Sequence, residues 1–179
     1  NGTCQVPVSI LIQWDDYDVF MSLIDDIAKD GFKSLTYETL SSDCLMGIDT
    51  TKTVILSFDD IGPFYIFQGY KDMIDYASSK GLVGVLGIVG GNFTKEDWNY
   101  LSDLHAKGWE IANHSNTHPE IDKITQMELI GDINYLQLKI FNNLGLVPKT
   151  FIIPGGYLNR QTISVVQNQG FNFVVGIPV

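Results

Sequence analysis

Two adjacent carboxylates follow an apolar run in the first half of the chain. The run Val54-Ile55-Leu56 continues through Ser57 and Phe58 into Asp59 and Asp60. Neighbouring side chains on an extended backbone point to opposite sides, so one carboxylate could bind a metal ion while the other faces a bound water. An Asp-Asp pair is also common in turns and helix caps, so the pair by itself leaves both interpretations open.

Two of the chain's three histidines lie close together in the second half. His114 and His118 are four positions apart and follow the apolar run from Trp109 to Ala112. A helical turn would place both imidazoles on one side, and neutral imidazole is a common ligand of zinc and similar ions. Two surface histidines can also share this spacing by chance.

The two clusters are more informative together than apart. Both follow predicted buried strands, and barrel enzymes hold their active sites at the carboxyl ends of their strands. Two histidines and one carboxylate make a facial ligand set that leaves positions open for water and substrate. A metal held there would lower the pKa of its bound water, and the second aspartate would take the proton of that water.

The elements that must position these residues alternate along the chain. Five helical stretches end at a glycine that leads directly into a strand-like run, at Gly31, Gly81, Gly108, Gly145 and Gly170. Glycine suits the left-handed conformation that ends a helix, and the alternation predicts a parallel sheet or barrel. With Val6–Ile12 and Val54–Phe58 added, about seven parallel strands are expected. The fold class is therefore α/β, a distorted (β/α) barrel formed by residues 1–179 as a single domain.

Apolar periodicity and helix caps support the same pattern. Residues Thr94 and Asp97, and again Thr125 and Glu128, have the spacing of a capping box before a helix. Three stretches carry apolar residues on one helical face: Phe20, Leu23, Ile24 and Ile27; Tyr70, Met73, Ile74 and Ala77; and Leu129, Ile133, Leu136 and Ile140.

Composition limits the partners and the location. Eleven basic residues against 21 acidic ones give a formal charge of -10, which disfavours nucleic acid and anionic membranes as partners. No apolar run approaches the ~18 residues of a membrane-spanning helix, so no membrane span is expected. Cys4 and Cys44 could form a disulfide or remain two thiols, and glycosylation-type triplets begin at Asn1 and Asn92. These features favour an extracytoplasmic or secreted protein, and they leave its oligomeric state open.

The two chemical motifs resemble those of the polysaccharide deacetylases with a NodB-homology domain, also called carbohydrate esterase family 4. The family's first motif, roughly Thr-Phe-Asp-Asp, appears as Ser57-Phe58-Asp59-Asp60, and its second, His-Ser/Thr-x-x-His, appears as His114-Ser115-Asn116-Thr117-His118. The resemblance implies a NodB-like fold and a catalytic base at Asp59. It also implies that Asp60, His114 and His118 hold a divalent metal and that Ser115 supports their loop by hydrogen bonding.

Flanking segments extend the resemblance. The segment from Gly108 to Asn113 looks like the family's Gly-x-Glu-Ile-x-Asn lead-in, and the one from Phe151 to Gly156 resembles its third motif, which lines one wall of the groove. Pro154 and Gly155 are therefore candidate substrate contacts. Trp14, which lies beside several aspartates after the first predicted strand, is another, although an acidic stretch there also suits a solvated helix start.

The resemblance implies a metal-dependent hydrolase that removes N-acetyl groups from N-acetylglucosamine-containing polysaccharide and releases acetate. Chitin-like chains, peptidoglycan and exopolysaccharide are all candidate substrates. Zn²⁺ is the metal expected first, while Co, Ni, Mn and Fe tolerate the same ligands.

Two departures from the family pattern keep alternatives open. Ile152 stands where many members carry an arginine that orients the base, and no residue matches the late-motif histidine that protonates the leaving amine. The remaining histidine, His105, is expected to be structural because it precedes the strand at the end opposite to His114. The alternatives are a carbohydrate-binding pseudoenzyme that keeps the metal site and a small-molecule amidohydrolase on the same fold.

Overall fold

The computed structural model describes residues 7–12, 17–46, 49–62, 66–158 and 160–178. Three residues singled out from the sequence, Asn1, Cys4 and Trp14, lie outside these ranges, and so does the side chain of Cys44. The predicted substrate contact at Trp14 and the possible disulfide therefore stay predictions.

Seven strands and six α-helices alternate along the described part of the chain, with one short 3₁₀ turn at Ile121–Lys123. The strands are β1 (Val8–Ile12), β2 (Lys33–Leu35), β3 (Thr53–Ile61), β4 (Val85–Ile88), β5 (Glu110–Asn113), β6 (Thr150–Leu158) and β7 (Phe173–Pro178). The helices are α1 (Tyr17–Lys29), α2 (Tyr37–Met46), α3 (Ile66–Ser79), α4 (Lys95–Ala106), α5 (Gln126–Leu144) and α6 (Arg160–Gln167).

All the strand pairs are parallel and form one curled sheet. The strand order is β1-β3-β4-β5-β6-β7, and β2 pairs only with the first residues of β3. The two end strands, β1 and β7, line opposite sides of the same cavity but show no pairing with each other in the described ranges. The expected distorted barrel of about seven parallel strands is thus confirmed as a half-open barrel.

The helices cover the outside of the sheet as their apolar faces predict. All three predicted faces point into the core, with every member buried except Leu23, which is half-buried. Both predicted capping boxes are formed, at Thr94 and at Thr125. The five helix-ending glycines all have the positive φ that only glycine adopts readily.

Helix α2, which the sequence patterns did not predict, closes one end of the half-barrel. Tyr37 and Leu40 pack inside the sheet against one inward-facing residue from each of β3, β4, β5 and β6, namely Ile55, Val85, Ala112 and Ile152. The helix lacks a clear apolar stripe and depends on tertiary contacts. Thr36 Oγ1 accepts a hydrogen bond from the Thr39 amide (3.2 Å), and the Glu38 amide donates to Glu110 (3.1 Å). The end that α2 leaves open carries the site.

Candidate active site

Asp59 and Asp60 lie near the carboxyl end of β3, within the strand and not after it. The pairing of β3 with β4 shifts register between Phe58 and Ile61, and Asp60 has a left-handed φ of 58°. Both carboxylates line the same cavity of about 540 Å³. The prediction that an extended backbone sends the two side chains to opposite sides is therefore wrong, because the backbone at Asp60 is not extended.

His114 follows β5 directly and is fixed by the backbone of β6. Its Nδ1 lies 2.9 Å from the carbonyl oxygen of Ile152, and its side chain is almost fully buried. A carbonyl oxygen only accepts hydrogen bonds, so Nδ1 carries the proton and Nε2 presents a lone pair in the neutral ring. That Nε2 faces Asp60 Oδ1 at 3.3 Å.

His118 reaches the same carboxylate through a loop, which we call the histidine loop (residues 113–118). Four-residue spacing suggested a helical turn, but the loop is not helical, and Ser115 (φ 68°) and His118 (φ 51°) both adopt left-handed backbone conformations. Ser115 Oγ accepts a hydrogen bond from the His118 amide at 3.0 Å, and the Ser115 amide donates to Asn113 Oδ1 at 2.9 Å. The supporting role of Ser115 stays a prediction, and these are the contacts through which it would act.

The three side chains converge on one point. One ligand atom from each of Asp60, His114 and His118 lies within 4.8 Å of the other two, and His118 Nε2 is 3.0 Å from Asp60 Oδ1. Ligand atoms about 2.1 Å from one ion are about 3.0–3.4 Å apart when bond angles lie between octahedral and tetrahedral values. The 3.3 Å and 3.0 Å separations from Asp60 therefore fit a divalent metal.

The electrostatics of this cluster favour a positive charge at its centre. The contact with His114 lowers the pKa of the Asp60 carboxyl. Burial by itself lowers the pKa of His114, but the contact with Asp60, the Ile152 carbonyl and the charges of both aspartates together raise it. Because the Nδ1 proton of His114 is used on Ile152, the neutral ring presents an Nε2 lone pair to the Asp60 carboxylate. A proton or a metal cation at Nε2 would relieve the repulsion between them.

Asp59 lies beside this cluster and has different surroundings. Ser57 Oγ donates a hydrogen bond to Asp59 Oδ1 at 2.9 Å. Burial raises the pKa of Asp59, the negative charge of Asp60 adds to the rise, and His114 opposes it. A carboxylate with a raised pKa is a stronger proton acceptor, which suits a general base.

The residue at the expected arginine position, Ile152, contributes in two ways. Its carbonyl holds His114, and its buried side chain points toward Gly87, where a Cβ would lie 3.1 Å from Ile152 Cδ1 and 3.4 Å from Asp59 Oδ1. Ile152 Cδ1 and Asp59 Oδ1 thus both lie beside Gly87, and the Ser57 hydroxyl donates a hydrogen bond to that Asp59 oxygen.

The remaining predicted residues separate into two groups. Gly155 lines the main cavity, and it also lines an adjoining cavity of about 230 Å³ together with Pro154 and His118. His105 belongs to α4, where its Nδ1 lies 3.1 Å from the Trp109 carbonyl, and it is not among the described residues around the cavity. Asp18 is exposed in the first turn of α1, as expected for a solvated helix start.

Two residues that contact the histidine loop were not predicted from the sequence as site residues. Asp132 on α5 accepts hydrogen bonds from the loop, and the backbone of Gly90 packs directly against Asn116. Asp132 carries no sequence signal, because an acidic residue on the polar side of a helix is ordinary. Gly90 belongs to a glycine-rich stretch with Gly87 and Gly91, and such a stretch by itself indicates only a close-packed turn.

The curled parallel sheet carries an aspartate pair and two histidines at the carboxyl ends of its strands, which is where barrel enzymes hold their active sites. The chain belongs to the polysaccharide deacetylase family, whose profile matches residues 47–174. The family resemblance of the sequence motifs is thereby confirmed.

Individual relatives are more distant. The chain is 27% identical over 115 residues to the peptidoglycan-N-acetylglucosamine deacetylase PgdA of Listeria monocytogenes, covering 63% of this chain and 23% of that protein. It is 23% identical over 103 residues to chitin deacetylase 1 of Cryptococcus neoformans, covering 58% of this chain and 22% of that protein. The matched segments thus span about a quarter of these relatives' length.

Solved structures show the same fold. The deacetylase PplD of Streptococcus pyogenes, solved with acetate, aligns with a TM-score of 0.74 at 14% identity, over 93% of this chain and 80% of that chain. IcaB from Ammonifex degensii aligns with a TM-score of 0.70 at 19% identity, over 97% of this chain and 88% of that chain. At these identities the likeness establishes the architecture, and the site is argued from its own geometry.

Proposed function

We propose that this domain is a metal-dependent hydrolase that removes N-acetyl groups from N-acetylglucosamine-containing polysaccharide and releases acetate. The observation that carries the proposal is the convergence of Asp60, His114 and His118 within 4.8 Å, beside a half-buried aspartate, Asp59, that lines the same cavity. Membership of the polysaccharide deacetylase family supports it. The names of the chitin and peptidoglycan deacetylases above indicate the class of polymer.

Asp60, His114 and His118 would hold the metal, and we propose Zn²⁺, with Co, Ni, Mn and Fe as ions that accept the same ligands. When bound, such an ion polarises the acetyl carbonyl and makes a bound water easier to deprotonate. The Ile152 carbonyl keeps the His114 ring in the tautomer that presents Nε2, which is the usual way a second contact prepares a histidine ligand.

Asp59 would carry the proton. It takes a proton from the attacking water as the water oxygen bonds to the amide carbon, and it returns that proton to the nitrogen as the C–N bond breaks. Among the described cavity residues, Tyr70 is the other titratable side chain outside the proposed ligand set, and its hydroxyl donates to the Ile12 carbonyl at 2.8 Å. Within the described residues, we therefore assign both proton transfers to Asp59, which would act first as the base and then as the acid.

The cavity suits an N-acetylated sugar. Leu11, Ile153 and Val175 contribute apolar surface to its walls, which fits an acetyl methyl group and the apolar faces of a sugar ring. The formal charge of -10 suits a neutral or partly deacetylated, cationic polymer better than an anionic one. Because such polymers lie outside the cytoplasm, we also propose an extracytoplasmic location, which fractionation of the source cells tests.

The decisive experiment measures acetate release from N-acetylglucosamine oligomers by metal-loaded protein and by Asp59→Asn. We expect the variant to lose at least about 100-fold in kcat, the scale of a lost general base, while binding metal stoichiometrically. His114→Ala and His118→Ala should each lose metal by elemental analysis, and unchanged metal content in both would disprove the ligand set.

The same assay separates the alternatives. Oligomer binding by metal-loaded protein without any acetate release would make the domain a carbohydrate-binding pseudoenzyme. Turnover of monomeric amides in preference to oligomers would instead indicate a small-molecule amidohydrolase. Either result overturns the proposed polysaccharide deacetylation.

A further inference from the structure

We infer that Asp132, on helix α5, is a positioning residue of the site. Its hydrogen bonds hold the histidine loop so that His118 faces Asp60. This inference rests on the proposed function, because the geometry that it protects is that of the proposed metal ligands. Asp132 touches neither metal ligand and acts through the backbone between His114 and His118.

The carboxylate of Asp132 takes three hydrogen bonds from two consecutive loop residues. Its Oδ2 accepts from the amides of Asn116 (2.8 Å) and Thr117 (3.2 Å), and its Oδ1 accepts from Thr117 Oγ1 (2.8 Å). Bonds to an ionised acceptor are roughly twice as strong as neutral ones. Both oxygens of one side chain are therefore used on the two residues just before His118.

Ile133, the residue after Asp132 on helix α5, contacts the start of the same loop. Asn113 Nδ2 donates to the Ile133 carbonyl at 3.1 Å, and Asn113 Oδ1 accepts from the Ser115 amide at 2.9 Å. The helix is itself anchored, with Leu129, Ile133, Leu136 and Ile140 all buried. The position of the histidine loop is thus set by a packed helix at two points along the loop.

The loop needs this support because its backbone is strained. Ser115 and His118 have φ values of 68° and 51°, a region that is unfavourable for residues other than glycine. The two histidines also differ in their own support. The His114 side chain is 3% exposed and bonded to Ile152, whereas the His118 side chain is 40% exposed. Loss of Asp132 should therefore displace His118 first.

The test compares Asp132→Ala and Asp132→Asn with wild type and with Asp103→Ala, which removes an exposed carboxylate from α4. Zn²⁺ affinity is measured by competition with a chromogenic chelator, and ligand geometry by the visible spectrum of the Co²⁺-loaded protein. We expect Asp132→Ala to weaken Zn²⁺ binding by about 10–100-fold and to alter the Co²⁺ spectrum, as loss of an outer support of a metal site does. Asp103→Ala should leave both unchanged.

Asp132→Asn should recover most of the affinity. Its amide oxygen can accept from both loop amides, and its NH₂ group can donate to the Thr117 hydroxyl. A purely structural contribution of Asp132 would lower thermal stability but leave the Zn²⁺ affinity and Co²⁺ spectrum of the folded protein as in wild type. That result, with affinity within twofold of wild type, would overturn the inference.

A second measurement keeps this inference separate from the proposed function. In metal-free protein, the Asn116 and Thr117 amides should exchange with solvent deuterium at least about tenfold faster in Asp132→Ala than in wild type. If wild type binds no metal, the proposed function fails while this exchange still tests the hold on the loop. If Asp132→Ala does not fold, Thr117→Val removes one of the three bonds and should show a smaller change in the same direction. Unchanged exchange in the folded variants overturns the inference.

Discussion

Replacing Gly90 with alanine should weaken metal binding through a purely steric effect on the histidine loop. Gly90 follows β4, and its amide donates to the Ser115 carbonyl at 3.2 Å. A Cβ at this position would lie 2.0 Å from Asn116 Oδ1 and 2.3 Å from the Asn116 carbonyl oxygen. The φ of Gly90 is not positive, so alanine adds a collision and no backbone strain.

The size of the effect follows from these distances. Non-bonded carbon and oxygen atoms prefer to be about 3.3–3.5 Å apart, so one of the two backbones must retreat by about 1 Å. The Asn116 side chain can rotate away, but its carbonyl moves only with the loop. Metal sites tolerate distance errors of about 0.2 Å, and overpacking typically costs about 1–3 kcal/mol. In the metal-free protein the loop can move away and relieve part of this strain, but metal binding must bring the loop back. If the relief amounts to about 1.4 kcal/mol, Zn²⁺ affinity falls about tenfold.

The assay is a Zn²⁺ competition titration paired with thermal unfolding of the metal-free protein. Gly131→Ala is the matched control, because Gly131 lies inside α5 and the added Cβ would have no atom within 4 Å apart from its chain neighbours and the helix's own backbone. That control should keep wild-type affinity and gain up to about 1 kcal/mol in stability from helix propensity. Wild-type Zn²⁺ affinity in folded Gly90→Ala would refute the reasoning, since the loop would then accept the Cβ without moving its ligand.

Two further predictions concern stability. Glu110 accepts hydrogen bonds from the Glu38 amide and the Thr150 hydroxyl, and burial raises the pKa of its carboxyl group. The protonated form of Glu110 therefore favours folding, and this contribution to stability is lost as the pH rises through the folded-state pKa. In urea unfolding, Glu110→Gln should therefore gain stability relative to wild type as the pH rises above about 4, the ordinary pKa of a glutamate, and a constant difference with pH would contradict the assignment. Removing the metal with a chelator should lower the unfolding temperature by about 5–10 °C, since metal at 100 times its Kd contributes about 2.7 kcal/mol. His118→Ala should show little of this response, and an equal response would mean that the metal binds elsewhere.

Much of the fold was predictable because its signals are local. A helix that ends at glycine, as at Gly145, is encoded by the few residues around it, and so are the capping boxes at Thr94 and Thr125. The apolar faces of α1, α3 and α5 follow from the period of the helix. Helix α2 was missed because its contacts come from distant parts of the chain, such as Glu110, and its own sequence lacks an apolar stripe.

The limits of strand β3 also depend on contacts with distant parts of the chain. β3 continues through Asp59 and Asp60 to Ile61, although both aspartates were expected after the strand ended. Pairing with β4 keeps this segment in the sheet despite its polar residues, and the register shift there goes with the left-handed backbone of Asp60. Propensity alone cannot anticipate such a bulge, because it depends on the neighbouring strand.

The sequence by itself predicted which residues are candidates for chemistry here and determined in what order they follow their strands. Asp59, Asp60, His114, Ser115 and His118 were all identified from residue type, spacing and family resemblance. Only the tertiary structure decided how they meet: a left-handed Asp60 turns toward both histidines, Ile152 holds one of them, and Asp132 with Gly90 confines the loop of the other. The physical reason is that these contacts join strands β3, β5 and β6 and helix α5, whose relative positions come from sheet pairing and core packing and not from local spacing.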